Sequence, residues 1–79
     1  MISQLAHPRT RISFHVTNMD CGQSAGAVTR VVLGLDSDAI VRIDLPMRRI
    51  EIEPSKGEAR DFRDAMNRAG FVPVRQWMP

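Results

Sequence analysis

The chain has 79 residues and a mass of 8.9 kDa, which suffices for one small domain and excludes a multidomain enzyme. Apolar residues make up 43% of it and charged residues 25%, a balance typical of globular proteins that excludes a disordered chain. Eleven basic and nine acidic residues give a formal net charge of +2 at pH 7, which is too small to indicate nucleic-acid binding.

The first ten residues show little periodicity and include a His-Pro pair, so we expect a flexible tail over 1–10. From position 12 onward, apolar residues alternate with polar ones, as they do in a strand with one buried face. This pattern predicts a first strand over 11–16, with His15 on its solvent-facing side.

Apolar residues then recur at helical spacing, which predicts a first helix with one buried stripe. The stripe consists of Val28, Val31, Val32 and Leu35. We expect Asp20 to cap this helix and Gln23 to reach back in a capping box, so that Cys21 is the first helical residue. Ser24 is an alternative cap that would start the helix one turn later. Turn-forming residues at 36–38 end the helix.

Two further alternating runs, separated by Pro46 and Met47, predict a β-hairpin whose solvent-facing side carries charges of mixed sign. After a break in the pattern, Ser55 and Glu58 have the spacing of a second capping box. They predict a second helix, which Gly70 closes because glycine suits the left-handed position past a helix end.

A short last strand is predicted over 71–74, and Pro73 confines it to a sheet edge because proline cannot donate to the ladder. The predicted order of elements is therefore β-α-β-β-α-β. In so short a chain, this order favours the α+β ferredoxin-like sandwich, a four-stranded antiparallel sheet with two helices on one face.

Cys21 is the one cysteine in the sequence, so no internal disulfide forms, and a single thiol indicates a reducing, cytoplasmic setting. No window approaches the roughly 20 apolar residues that span a bilayer, so we expect no membrane insertion. The predicted fold places the thiol beside free helix N–H groups, which lower the pKa of a thiol and favour the thiolate. Asp20 opposes this effect, but its carboxylate is an oxygen ligand for a zinc-like ion.

The segment after the first strand reads Asn18-Met19-Asp20-Cys21-Gly22-Gln23-Ser24. It resembles the Gly-Met-x-Cys-x-x-Cys motif of the heavy-metal-associated domains of metallochaperones and metal-pumping ATPases. Met19 and Cys21 are in step with that motif, whereas Asn18 replaces the glycine and Ser24 replaces the second cysteine. The resemblance continues without gaps through Val28, Leu35, Val41, Ile43, Asp44 and Ala69-Gly70-Phe71. It implies a heavy-metal-associated domain over 11–76.

The resemblance implies a protein without catalytic activity that binds Cu(I) at an exposed loop and passes it to a partner by ligand exchange. The expected partner is a metal-transporting P-type ATPase or its metal-binding domain. Family members hold the ion between two thiolates, whereas a serine hydroxyl is a hard and neutral donor, so Cys21 with Ser24 should bind Cu(I) more weakly. The missing donor then comes from Cys21 of a second molecule in a metal-bridged homodimer, from a partner's thiols, or from an external thiol such as glutathione.

Two alternatives remain open. In the family that this sequence resembles, zinc, cadmium and lead pumps often carry aspartate before the first cysteine. Asp20 and Cys21 are therefore also candidate ligands for Zn(II) or Cd(II), although a stable zinc site has roughly four ligands. The other alternative is a degenerate domain that has lost metal transfer and acts as a protein-interaction or regulatory module, which Ser24 supports. We place Cu(I) first because the rest of the chain resembles short bacterial copper chaperones.

Two apolar residues are expected to support the loop. Met19 is predicted to plug the core under the loop rather than to bind metal through its thioether, and Phe71 is predicted to pack beside the loop and shield the thiolate from water. A thiol enzyme is not favoured, because the local sequence offers no base near Cys21. RNA binding is not favoured, because the central strands carry no outward-facing aromatic residues.

Overall fold

The computed structural model describes residues 11–76, which form four strands and two helices. In chain order they are β1 (Ile12–Val16), α1 (Gly22–Leu35), β2 (Ile40–Asp44), β3 (Arg49–Glu53), α2 (Ala59–Arg68) and β4 (Pro73–Gln76). The tail predicted over 1–10 lies outside the described residues.

The four strands form one antiparallel sheet in the order β2-β3-β1-β4. The register places Ile12 opposite Ile52 and Phe14 opposite Ile50, so the apolar residues of the two central strands share one face. That face packs against both helices. The predicted ferredoxin-like sandwich is therefore confirmed, and β4 lies at a sheet edge as Pro73 requires.

The core lies between the sheet and the helices, and ten apolar residues in it are at most 3% exposed. They are Ile12, Phe14, Val16, Met19, Val28, Val32, Ile50, Ile52, Phe62 and Met66. Gly57 allows the chain before α2 to lie directly on the Phe62 ring, since a Cβ at this position would come within 2.7 Å of that ring. Burial of these side chains is the main favourable contribution to folding.

The start of α1 differs from the sequence-based prediction. Cys21, and not Asp20, is the N-cap, and Ser24 rather than Gln23 completes the capping box. The spacing is shifted by one residue because the Ser24 hydroxyl reaches the backbone N–H of Cys21 at 3.1 Å. The alternative of a helix that starts one turn later, with Ser24 as its cap, is also wrong.

The capping box predicted for α2 is likewise wrong. Glu58 is the N-cap and pairs with Asp61, whose carboxylate accepts a hydrogen bond from the Glu58 N–H at 3.0 Å. Ser55 instead binds the buried carboxylate of Asp36, which lies at the end of α1. This long-range contact outweighs the local one because it gives a buried carboxylate the hydrogen bonds that it needs.

The second helix ends as predicted, since Gly70 follows it with a φ of 94°. The last strand begins two residues later than the predicted 71–74 and covers Pro73–Gln76. Phe71 and Val72 instead connect α2 to β4, and their amides bond to Met66 and to the side chain of Asn18. None of the helices within 11–76 is long and apolar enough to cross a membrane.

Candidate metal centre

The loop between β1 and α1 is held at one end of the sheet by bonds to the connection between α2 and β4. The Asn18 side chain donates to the Gly70 carbonyl at 2.9 Å and accepts from the Val72 N–H at 3.0 Å. The Thr17 N–H donates to the Val72 carbonyl at 3.0 Å. These bonds join residues more than 50 positions apart, so local sequence reasoning missed this function of Asn18.

Cys21 stands at the end of this loop with an exposed side chain. Its backbone is extended, with φ of −151° and ψ of 168°, as is usual for an N-cap. Its sulfur faces the backbone amides of Gln23 and Ser24 in the first turn of α1. The thiol is therefore accessible to a second molecule and lies at the positive end of a helix dipole.

Ser24 lies beside Cys21, with its hydroxyl oxygen 3.6 Å from the sulfur. That oxygen accepts hydrogen bonds from the N–H groups of Asp20 and Cys21, each at 3.1 Å. Its single proton can point to the Cys21 carbonyl at 2.9 Å or to the sulfur at 3.6 Å, and a thiolate favours the second direction. A hydroxyl oxygen has two lone pairs, and both are occupied in this arrangement. A metal ion bound directly to Ser24 would have to displace at least one of these backbone bonds.

The pKa of the Cys21 thiol is lowered from its ordinary value. The backbone amide of Ser24 contributes most, followed by the Ser24 hydroxyl and the Gln23 amide, while partial desolvation and the charge of Asp20 act in the opposite direction. Hydrogen bonds to the sulfur stabilise the thiolate, which is the form that binds soft metal ions. The site therefore favours the ligand form of its sulfur.

The structure brings only part of the predicted site together. Asp20 is exposed and adjacent to Cys21, and Ser24 touches the sulfur. Met19 is fully buried within the core, beneath the loop. Phe71 is half-buried and packs against the same core. Within 11–76, no group of three or more His, Cys, Asp or Glu side chains is placed to hold one ion.

No family model and no curated protein matches the chain. Solved structures do match it. A gold binding protein is 35% identical over 82% of this chain and 98% of its own, with a TM-score of 0.78. The copper chaperone Atx1 from Synechocystis PCC6803 is 32% identical over 80% of this chain and 98% of its own, with a TM-score of 0.72. The chain belongs to the heavy-metal-associated domain family.

A third neighbour, the N-terminal domain of ZntA in its Zn(II) form, shares the fold at 21% identity with a TM-score of 0.78, over 90% of this chain and 97% of its own. This heavy-metal-associated domain is copper-chaperone-like and is not an enzyme, as the sequence predicts.

Proposed function

We propose that this heavy-metal-associated domain carries Cu(I) on the Cys21 thiolate and passes the ion to a partner protein. The observation that carries the proposal is an exposed sulfur at the start of α1 whose pKa is lowered by the hydrogen bonds around it. A soft thiolate is a preferred ligand of Cu(I). The similarity to a copper chaperone at 32% identity supports the same ion.

The site on one molecule is half of a two-coordinate Cu(I) site. The Ser24 oxygen accepts two backbone hydrogen bonds, so we propose that the main role of Ser24 is to hold the loop and orient the thiolate. Ser24 becomes a metal ligand only if the ion displaces one of these bonds. The second soft donor then comes from another molecule, which is Cys21 of a second copy, a thiol of the partner, or glutathione. The exposure of Cys21 leaves room for that donor.

The partner that fits this chemistry is a metal-transporting P-type ATPase or its metal-binding domain, with thiols that take over the ion by stepwise exchange. A cytoplasmic setting suits the chain because its single thiol has to remain reduced. A homodimer bridged by the metal would use the same site, with Cys21 of a second copy as the second donor. A point mutant of the Synechocystis copper chaperone has a trimeric form, which supports self-association for this domain as well.

Zn(II) or Cd(II) is a second candidate cargo, favoured by the exposed carboxylate of Asp20 next to Cys21. Zinc accepts both oxygen and sulfur ligands and takes about four of them. A zinc complex would therefore need two further donors from outside the chain. This requirement is harder to meet than the single donor that Cu(I) needs, so we rank Zn(II) second.

The decisive experiment is an anaerobic titration of the full chain with Cu(I) and, separately, with Zn(II), read by native mass spectrometry and by competition with a chelator. We expect Cu(I) at one ion per two protein molecules, or one per molecule when glutathione is added, and no retention by Cys21→Ala. Retention of Zn(II) in preference to Cu(I), lost in Asp20→Asn, would favour the second cargo. Failure to retain either ion at any protein concentration would leave the interaction-module alternative.

A further inference from the structure

A groove of about 580 Å³ lies where the β2–β3 hairpin meets the sheet face that the helices leave open. Its lining, here called the hairpin groove, consists of His15, Pro46, Met47, Arg48, Arg49 and Gln76. Two guanidinium groups and one imidazole are present, and no carboxylate belongs to the lining within the described chain. The chemistry of the groove therefore favours an anionic occupant.

Arg49 carries one of the two guanidinium groups of the groove. It stands between His15 on β1 and Asp44 on β2 in the sheet register and is half-buried. Within 11–76, its buried Nε has no hydrogen-bond partner, and no carboxylate oxygen lies within 4.0 Å of its guanidinium nitrogens. An oxygen of Asp44 instead accepts from the Met47 N–H at 3.3 Å. A buried cationic donor without an acceptor is costly, so a movement of the half-buried Arg49 side chain toward a carboxylate from outside would be stabilising.

A second unpartnered group lies on the same sheet face. Ser13 is 2% exposed, and its hydroxyl has no hydrogen-bond partner among the residues that the structure describes. The register places it opposite Gln76 of the groove on one side and Glu51 on the other. Two buried polar groups without partners thus occur on the open face of the sheet, on neighbouring strands.

Arg48 connects the groove to the metal loop. Its φ of 53° is unusual for a residue other than glycine, and its carbonyl accepts from the Val16 N–H at 2.7 Å. Its side chain donates to the Thr17 carbonyl at 3.1 Å. The hairpin turn is therefore fixed to the start of the loop that ends in Cys21, and an occupant of the groove would lie at the same end of the sheet as the thiol.

We propose that the hairpin groove docks an acidic segment of the protein with which this domain exchanges metal, and that a carboxylate of that segment bonds to Arg49. The proposal rests on the proposed function, because it assigns the chemistry of the partner's surface. Charge complementarity favours a carboxylate, while the 59% exposed side chain of Met47 and the neighbouring Pro46 offer apolar contact to the rest of the segment. Such a contact would hold the partner while its thiol approaches Cys21.

The test uses a blocked hexapeptide of glutamate and glycine, titrated into the ¹⁵N-labelled full chain and followed by NMR. We expect shifts at the groove residues, including the Arg49 side-chain Nε–H signal. Arg49→Gln should weaken binding about tenfold, as expected for the loss of one charge-assisted hydrogen bond, and Arg49→Lys should restore part of it. The matched control is Arg42→Gln, which removes an exposed charge from the same sheet face outside the groove.

Several results would overturn the proposal. They are equal weakening by Arg42→Gln, shifts confined to the helices, and equal binding of a control peptide in which glutamine replaces every glutamate. Equal binding of free glutamate or inorganic phosphate would also overturn it, because it would indicate a small-anion site. Thermal unfolding of each variant shows that the fold is intact. Cu(I) affinity is measured in parallel and should not change in Arg49→Gln. Cu(I) binding without peptide binding would contradict only the proposed docking site. Peptide binding without Cu(I) binding would contradict only the proposed metal function.

Discussion

The hydroxyl of Ser24 lies 3.6 Å from the Cys21 sulfur and at the same time accepts two backbone hydrogen bonds. It therefore stabilises the turn in which the thiol sits and lowers the pKa of that thiol, while its lone pairs are already in use. A cysteine at the same position would be a soft ligand but a poor cap, because a sulfur is a weak hydrogen-bond acceptor. Substitutions at position 24 should therefore change the metal affinity and the stability of the helix cap independently of each other.

Ser24→Cys should raise the Cu(I) affinity by about two orders of magnitude or more, because it supplies a second thiolate on the same chain. It should also lower the free energy of unfolding of the apoprotein by about 0.5–2 kcal/mol, through loss of the capping hydroxyl. Chelator competition and urea unfolding measure the two effects. The control is Ser24→Ala, for which we expect the same loss of stability and no gain in affinity; an unchanged affinity in Ser24→Cys would show that position 24 does not reach the ion.

The pKa of Cys21 should respond in opposite directions to its two neighbours. Ser24→Ala removes a hydrogen bond to the sulfur and should raise the pKa of the thiol, whereas Asp20→Asn removes a nearby negative charge and should lower it. Thiolate absorbance in the ultraviolet, followed against pH, measures both. Shifts in the same direction would contradict the proposed environment of the sulfur.

At the scale of the elements, α1 carries a functional group at each end. Its N-terminus holds the Cys21 thiol, and its C-terminus holds Asp36, which is fully buried. The Asp36 carboxylate accepts bonds from the amides of Ser55 at 2.7 Å, Lys56 at 3.0 Å and Gly57 at 3.3 Å, and from the Ser55 hydroxyl. This clamp ties the connection between β3 and α2 to the end of α1.

The Asp36 clamp should make the stability of the domain sensitive to acid. The Ser55 hydroxyl bond and the loop amides hold the pKa of Asp36 well below its ordinary value, although burial raises it. A lowered folded-state pKa contributes stability that is fully present above the unfolded-state pKa of about 4 and is lost as the pH falls below it. Urea unfolding between pH 7 and pH 2 measures this loss.

In Asp36→Asn, we expect a lower free energy of unfolding at pH 7 and a flatter dependence on pH below 4. The matched control is Asp38→Asn, since Asp38 is an exposed carboxylate two residues away. Equal effects of the two substitutions would show that the clamp does not contribute. Cu(I) affinity should be the same in both variants, because the clamp and the thiol lie at opposite ends of α1.

For the whole molecule, the topology brings three connections to one end of the sheet. They are the loop after β1, the turn between β2 and β3, and the connection between α2 and β4. Asn18 and Arg48 link them through hydrogen bonds. The loop that carries the thiol is therefore held in place by hydrogen bonds to the other two connections. This limits the loop rearrangement that is needed when a second donor binds the ion.

If two Cys21 thiolates share one ion, Cu(I) should convert the monomer to a dimer in solution. The apparent mass from size-exclusion chromatography with light scattering should approach twice 8.9 kDa at half an equivalent of Cu(I), and excess glutathione should reverse the change. Cys21→Ala should stay monomeric. A wild-type complex that binds Cu(I) as a monomer without added thiol would contradict the shared site.

The sequence by itself determined the order of the elements, the buried faces of β1 and β3, the glycine after α2 and the single thiol at the start of α1. These features depend on periodicity and on backbone preferences, which are local. Only the tertiary structure decided the cap of α2, because Ser55 binds Asp36, a residue 19 positions earlier. The cap of α1 depends instead on the local contact between Ser24 and Cys21. The tertiary structure also decided the bonds of Asn18 and the unpartnered Nε of Arg49, since both depend on which groups the folded sheet and its connections place nearby.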